Sequence, residues 1–326
     1  MAGVGHLRPR RGVQMIFKNT ACIVVVLLVQ LTGAVAQAEC TLGLSVNNLN
    51  PSYDLFADEP YGAVVNFEVT HVNGDACSYF VTFSKGQAST YDRRMASGVN
   101  GLSYQLYRTA SKVDVLKDEA DATANEVLSG TITAEQTTPD PMTYFLVIPE
   151  HQLEAAGTYT DTFTMTIYEG TLGGTHSVDS STPVDLTAVL LSQIELSLLD
   201  TASAFDPNDA AQTLNFGVLS EGEALGFDAR IRSNAGWSMT MLSDHQGKLQ
   251  LVGKAATTNT TVAYSLALDG VAKDLSGVSA VEVGTGAGPT ALGGSLRPVA
   301  VTIGSVTGKA AGQYQDNVTI TVSTTE

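Results

Sequence analysis

Cysteine is scarce in this chain: three in 326 residues, and one of them, Cys22, lies in an apolar run near the start. The other two, Cys40 and Cys77, lack the further ligands at metal spacing, or the paired base, that a metal site or a catalytic thiol would need. His71, His151, His176 and His245 are scattered, with no second histidine at metal-ligand spacing and no nucleophile-elbow serine. The glycine-rich stretch Gly284 to Gly294 lacks the lysine and the strand-to-helix context of a phosphate loop. Acidic clusters at Asp114, Asp118, Glu119 and Asp121, and at Asp206 and Asp209, lack the glycine-centred spacing of an EF-hand. No enzyme, metal site or cofactor is expected. Positive charge is also short, at 17 Lys and Arg against 33 Asp and Glu, which argues against a nucleic-acid partner.

Long apolar runs are absent too. The most apolar stretch, Ala21 to Val29, is too short to span a bilayer. It follows Arg8, Arg10, Arg11 and Lys18 and precedes the small-residue sequence AVAQA ending at Ala38, which together make a secretory signal peptide over residues 1–38. Cleavage there leaves 326 − 38 = 288 residues, room for two domains, with a formal charge of 13 − 33 = −20. Export takes Cys40 and Cys77 into an oxidising compartment, where one disulfide is the simple expectation.

What is present is a repeat. AAGTYTDTFTMTI at Ala155 to Ile167 returns as AAGQYQDNVTITV at Ala310 to Val322, preserving the Gly, Tyr and Asp positions. In the first copy Phe163, Met165 and Ile167 alternate with Thr162, Thr164 and Thr166, the pattern of a half-buried strand. Upstream, LSYQLY at Leu102 to Tyr107 is echoed by VAYSLA at Val262 to Ala267, and Phe67 by Phe227. Three echoes in one order predict a duplicated β-domain.

Short strand-like runs separated by turn residues fill positions 39–170, which read as an N-terminal domain. Ser111 to Asn125 is the one stretch of helical character, either a short helix or an acidic loop. Gly170 to Pro183 has linker composition, and residues 171–188 read as linker plus a possible completing strand carrying Leu186, Ala188 and Leu190. Residues 189–326 read as a C-terminal domain, with strands expected over TLNFGVL, LGFDARIRS, WSMTMLS, KLQLVG, TVAYSLAL, PVAVTIG and the Tyr314 to Val322 repeat. Trp237, the lone tryptophan, is expected in the core. Tyr159 and Tyr314 suit a tyrosine corner, with Asp161 and Asp316 serving a turn or ladder edge.

The N-terminal domain resembles the spore coat protein U family, used in archaic, Csu-type chaperone-usher pili. The likeness rests on Cys40, Cys77, TFSKGQASTYDRRM at Thr82 to Met95, LSYQLY, and IPEHQLEAAGTYTDTFTMTI at Ile148 to Ile167. The C-terminal domain shares only Asn215 to Gly217, the Tyr264 strand and the repeated motif. The chain departs from the family at Arg108 to Asp121 and at Leu146 and Val147, where specialised loops are expected.

The resemblance implies an all-β fold of two tandem immunoglobulin-like, pilin-type sandwiches, the C-terminal one lacking its last strand. It implies strand exchange rather than covalent chemistry, with a periplasmic pilus chaperone, an outer-membrane usher and the next pilus subunit as partners. With cleavage after Ala38 only Glu39 precedes Cys40, whereas a donor strand needs on the order of ten residues at about 3.3 Å each. The expectation is a two-domain tip adhesin on the cell surface that accepts a strand and donates none. Ile194, Leu196, Leu198, Val318, Ile320 and Val322 are the candidate strand-exchange residues. Candidate adhesive loops, for a host or abiotic surface, carry Leu55, Phe56 and Tyr61; Val113, Val115 and Leu116; and Pro141 and Met142. The same residues could instead form satellite cores under the loops. A secreted coat or structural protein, or a shaft pilin, is the alternative function.

Overall fold

The computed structural model describes residues 39–325. The signal-peptide reading of residues 1–38, Cys22 included, lies outside them. No helix occurs among the described residues, and strands are short, alternating and antiparallel.

The N-terminal sandwich contains β1 (Thr41–Ser45), β2 (Tyr61–Asn73), β3 (Cys77–Phe83), β4 (Arg94–Ser97) and β5 (Asn100–Ser103). It continues with β6 (Gln105–Tyr107), β7 (Leu128–Ile132), β8 (Asp140–Ile148), β9 (Gly157–Gly170) and β10 (His176–Leu190). One sheet has the order β1-β2-β8-β6, the other β5-β4-β9-β3-β7 with β10 added to β9. Cys40 and Cys77 are joined, Cα atoms 6.1 Å apart, tying the start of β1 to the start of β3. The core between the sheets includes Phe67, Phe83, Tyr144 and Phe163, whose rings pack edge-on or tilted.

The C-terminal sandwich contains β11 (Ile194–Leu199), β12 (Ala224–Ser233), β13 (Gly236–Ser243), β14 (Lys248–Leu251) and β15 (Thr261–Leu268). The rest are β16 (Val271–Lys273), β17 (Val281–Gly286), β18 (Ser295–Ile303), β19 (Tyr314–Gln315) and β20 (Val318–Thr325). Its sheets run β11-β12-β18-β15-β14-β19, with β16 on β15, and β17-β13-β20. Trp237, Met239 and Met241 of β13 are buried at its centre, as alternation on that strand requires. The two sandwiches have equivalent frames: β2 beside β8 matches β12 beside β18, and β3 beside β9 matches β13 beside β20.

Several readings of the sequence are corrected here. The linker assigned to Gly170–Pro183 is a turn at 171–175 followed by β10, because β9 offers a full ladder edge that satisfies the backbone of these largely polar residues. The connection between sandwiches is 191–193, which divides the apolar run Val184–Asp200 into β10 and β11. Asn234 holds that connection: Gln193 N donates to Asn234 Oδ1 at 2.7 Å, and Asn234 Nδ2 donates to the Leu191 carbonyl at 3.0 Å. Of the two readings of Ser111–Asn125 the acidic loop holds: it is an irregular segment of turns, its alanines and acids lacking the apolar stripe that docks a helix. Thr213–Leu219 has strand-like alternation but no ladder partner among the described residues. Leu146 and Val147 are buried inside β8 and form no loop.

Candidate strand-acceptor groove

Both copies of the repeated motif are pinned by the same bonds. Tyr159 donates its hydroxyl hydrogen to the Ala155 carbonyl at 2.7 Å, and Tyr314 does the same to Ala310 at 2.7 Å, a tyrosine corner in each domain. Tyr104 donates to Asp161 Oδ2 at 2.6 Å, and Tyr264 to Asp316 Oδ2 at 2.7 Å. Burial, and then the carboxylate beside each hydroxyl, hold both phenols above the ordinary tyrosine range. Each carboxylate also accepts from the turn after β3 or β13: Gln87 N reaches Asp161 Oδ1 at 2.9 Å, and His245 N reaches Asp316 Oδ1 at 3.0 Å. The first turn needs Gly86, with φ +66°, since a Cβ there would stand 2.2 Å from Asp161 Oδ2.

From these equal anchors the two strands diverge. β10 runs antiparallel along the whole of β9, from His176 opposite Gly170 to Leu190 opposite Gly157. Because β3 and β4 occupy the other side, β9 is an interior strand. Phe163, Met165 and Ile167 are fully buried, as are Val184, Leu186 and Ala188. In the C-terminal domain the repeat is divided into β19 and β20, interrupted at Asp316 and Asn317. Among the described residues β20 has a single ladder partner, β13, and its outer edge is open. Val318, Ile320 and Val322 pack on the core yet stay half-exposed, as do Ile194 and Leu196 of β11, the edge strand of the facing sheet. The result is a groove with apolar walls in which, among the described residues, the outer edge of β20 has no ladder partner, while on the β11 side Leu198 N donates to the Asp209 carbonyl at 2.7 Å.

Of the predicted strand-exchange residues, the structure thus brings Ile194, Leu196, Val318, Ile320 and Val322 together against one core; Leu198, 9% exposed, belongs to the core itself. The adhesive-loop candidates do not form a common exposed site. Leu55 and Leu116 are completely buried, and Phe56, Tyr61 and Met142 pack against the core. Leu116 is held down because its carbonyl accepts from the buried Arg93 Nη2 at 2.7 Å and its N–H donates to the Leu106 carbonyl at 3.0 Å. Pro141 and Met142 belong to strand β8, and Val115 is half-buried in a bridge to Tyr107. Val113, 73% exposed, stands free of the core, and Pro141 is exposed on β8. Phe56 instead meets the second sandwich: the Arg232 guanidinium lies 4.7 Å from its ring centre and 4.5 Å from that of Phe205, while Glu195 accepts from Arg232 Nη2 at 2.6 Å. Sequence reasoning missed an apolar cleft of about 200 Å³ on the outer sheet face, lined by Gly62, Val64, Phe145, Val147, Ala110 and Lys112. Its signal was adjacent apolar residues, Val64 and Val65, where a one-faced strand would alternate.

Two immunoglobulin-like sandwiches in tandem, β10 covering β9 in the first and no strand covering the outer edge of β20 among the described residues of the second, define the class of protein. Residues 25–166 match the family model of the Spore Coat Protein U domain, the family that the motifs of this stretch resemble. A comparison with curated protein sequences gives no match. Among solved structures, the chain is similar to one described as the CsuC-CsuE chaperone-tip adhesion subunit pre-assembly complex of archaic chaperone-usher Csu pili from Acinetobacter baumannii. The identity is 12%, over 86% of this chain and 99% of that one, with a TM-score of 0.42. It is also similar to the CupB6 tip adhesin of Pseudomonas aeruginosa, at 10% identity over 86% and 94% of the two chains and a TM-score of 0.38. CfaE, the adhesive subunit of CFA/I fimbria of enterotoxigenic Escherichia coli, matches at 14% identity over 86% and 93%, with a TM-score of 0.36.

Proposed function

We propose that this protein is the tip subunit of an archaic chaperone-usher pilus, accepting a donor strand in its C-terminal groove and presenting its N-terminal domain to a surface or receptor. The observation that carries the reading is the open outer edge of β20 beside half-exposed Val318, Ile320 and Val322, at the place where β9 is covered by β10. An apolar groove with an unpaired ladder edge is a site for strand addition, in which backbone bonds give affinity and alternate side chains give register. In this reading a periplasmic chaperone fills the groove after export, and the N-terminal extension of the next subunit replaces it at the outer-membrane usher. The chain then resides at the cell surface and performs no catalysis. With the signal peptide removed after Ala38, Glu39 alone precedes Cys40, which leaves no donor strand for another subunit and suits the tip. For the adhesive role Val113 and Pro141 are the exposed candidates to test, by Val113→Ala and Pro141→Ala and measurement of surface attachment at unchanged melting temperature.

The test of the main reading is periplasmic expression of the full chain with and without an archaic-type chaperone, followed by pull-down and a melting curve. A one-to-one complex with chaperone, and aggregation or degradation without it, is the expected result. Equal yields of a stable monomer in both cases would overturn it in favour of a free-standing coat or structural protein.

A further inference from the structure

The closed domain contains a template for what fills the open one. Along β9, Leu190 lies opposite Gly157, Ala188 opposite Tyr159, Leu186 opposite Asp161, Val184 opposite Phe163 and Thr182 opposite Met165. Val184, Leu186, Ala188 and Leu190 are at most 2% exposed, so one side of this run is wholly core, while Thr182 is half-buried. The acceptor repeats the opposing positions as Gly312, Tyr314, Asp316, Val318 and Ile320. Their tyrosine and aspartate are fixed by the same hydrogen bonds as in the first domain. A tyrosine ring tethered to the Ala155 carbonyl cannot swing away, so the residue opposite it is limited in size, and Ala188 meets that limit.

β10 also has a second wall. Leu49 N donates to the Asp185 carbonyl at 2.8 Å and Thr187 N donates to the Leu49 carbonyl at 2.9 Å, a short parallel bridge contributed by the segment between β1 and β2. The segment between β11 and β12 contains Thr213, Leu214, Asn215 and Phe216, alternating polar and apolar, with both apolar side chains half-exposed. Among the described residues, the backbone groups of Leu214, Asn215 and Phe216 take part in no backbone–backbone hydrogen bond. A strand-competent segment with free ladder groups, at the same place in chain order as Leu49, is what an unfilled second wall requires.

We infer that the segment entering the C-terminal groove is an extended strand antiparallel to Tyr314–Val322 in the register of the chain's own β10. It carries aliphatic side chains opposite Gly312, Asp316 and Val318, a residue no larger than alanine opposite Tyr314, and a small polar residue opposite Ile320, and its far edge pairs with Thr213–Phe216. This rests on the C-terminal domain being a strand acceptor, and makes that acceptor selective by register.

Since Thr325 stands where Gly170 stands in the first copy, replacing residues 325 and 326 with a copy of residues 170–190 delivers β10 to the groove through its own turn. Trp237, the lone tryptophan and 1% exposed, reports the C-terminal transition by fluorescence. The graft is expected to raise that melting temperature by on the order of 10 °C, as the gain of several kcal/mol does for a domain of this size. Hydrogen exchange at Leu214 to Phe216 should slow. Ala188→Leu made in the appended copy, or a one-residue shift of the copy, should remove most of the rise. A control graft of alternating Val and Thr separates the readings. If the control, the Ala188→Leu copy and the native copy stabilise equally, the register inference falls and the acceptor survives; if neither the native copy nor the control stabilises, the acceptor reading itself falls.

Discussion

β9 and the β19–β20 run begin from the same anchors and end in different states. Each starts at a tyrosine corner and passes an aspartate that ties a tyrosine and a turn. β9 then continues unbroken for 14 residues between two neighbours, whereas its counterpart breaks at Asp316 and Asn317 and runs along an open edge. Downstream of the break the pattern is shared, since Thr164 and Thr166 recur as Thr319 and Thr321 and the apolar alternation is retained, while at the break Asn317 stands where the first copy has Thr162. The strand neighbours differ as well. A ladder on both sides fixes the backbone along the strand, and a ladder on one side leaves the stretch between β19 and β20 without a partner. Closure of a sandwich is therefore a property of strand supply, separable from the motif that builds the sheet.

The largest effect that tests this separation comes from a charge in the closing strand. Leu186→Asp places a carboxylate at a fully buried position and should cost more than about 4 kcal/mol, unfolding the N-terminal domain while the Trp237 transition persists. Ile320→Asp, at a half-exposed position, should cost the free chain far less and abolish strand capture. Equal losses of stability from the two substitutions would break the comparison. Nine of the eleven tyrosines precede residue 170, so near-ultraviolet circular dichroism follows the N-terminal domain beside the tryptophan signal.

Replacing Cys40 and Cys77 by serine should come next, at about 3 to 4 kcal/mol in the chain-entropy treatment of a loop this long, confined to the N-terminal transition. A matching loss in the tryptophan signal would show that the domains unfold together. Tyr104→Phe and Tyr264→Phe should each cost about 1 to 3 kcal/mol by stripping a buried carboxylate of a donor. The two values should agree within about 1 kcal/mol, because this bond is shared by the closed and the open domain. A large difference would mean that closure reaches back into the anchors.

The smallest effect is on pH dependence. Asp179 lies at the bulge in β10, and burial, reinforced by the charge of Glu169, pushes its carboxyl up to about 6. A folded-state pKa above the unfolded value means that the contribution is complete below about pH 4 and is lost as pH rises through about 6. Asp179→Asn should flatten that slope in the tyrosine signal and leave the tryptophan signal unchanged between pH 4 and 7.

Much of this was legible in the sequence. Alternation at Phe163, Met165 and Ile167 specified a strand with one buried face, and the conjunction of Tyr, Asp and Gly specified its turn. The apolar positions Val318, Ile320 and Val322 were legible for the same reason: a strand's faces follow from a period of two. The apolar loop residues were not. Leu55 and Leu116 sit among turn-forming and charged neighbours, and whether such a residue is exposed depends on what reaches over it, here the remote Arg93 guanidinium and the Leu106 carbonyl for Leu116. Residues 176–183 were equally opaque, since Ser, Thr and Asp look like linker until β9 lies alongside to satisfy their backbone.

By itself, then, the sequence determined the duplication, the class of fold, the disulfide pair and which positions of the repeated strand are apolar, all consequences of local pattern and of a two-cysteine inventory. Tertiary structure alone decided that 176–190 is one strand covering β9, that Phe56 turns to the second sandwich, and that β20 has an uncovered edge. Strand pairing joins segments through backbone groups that every residue carries, so which edge is filled is settled by long-range register and supply rather than by the composition of the edge.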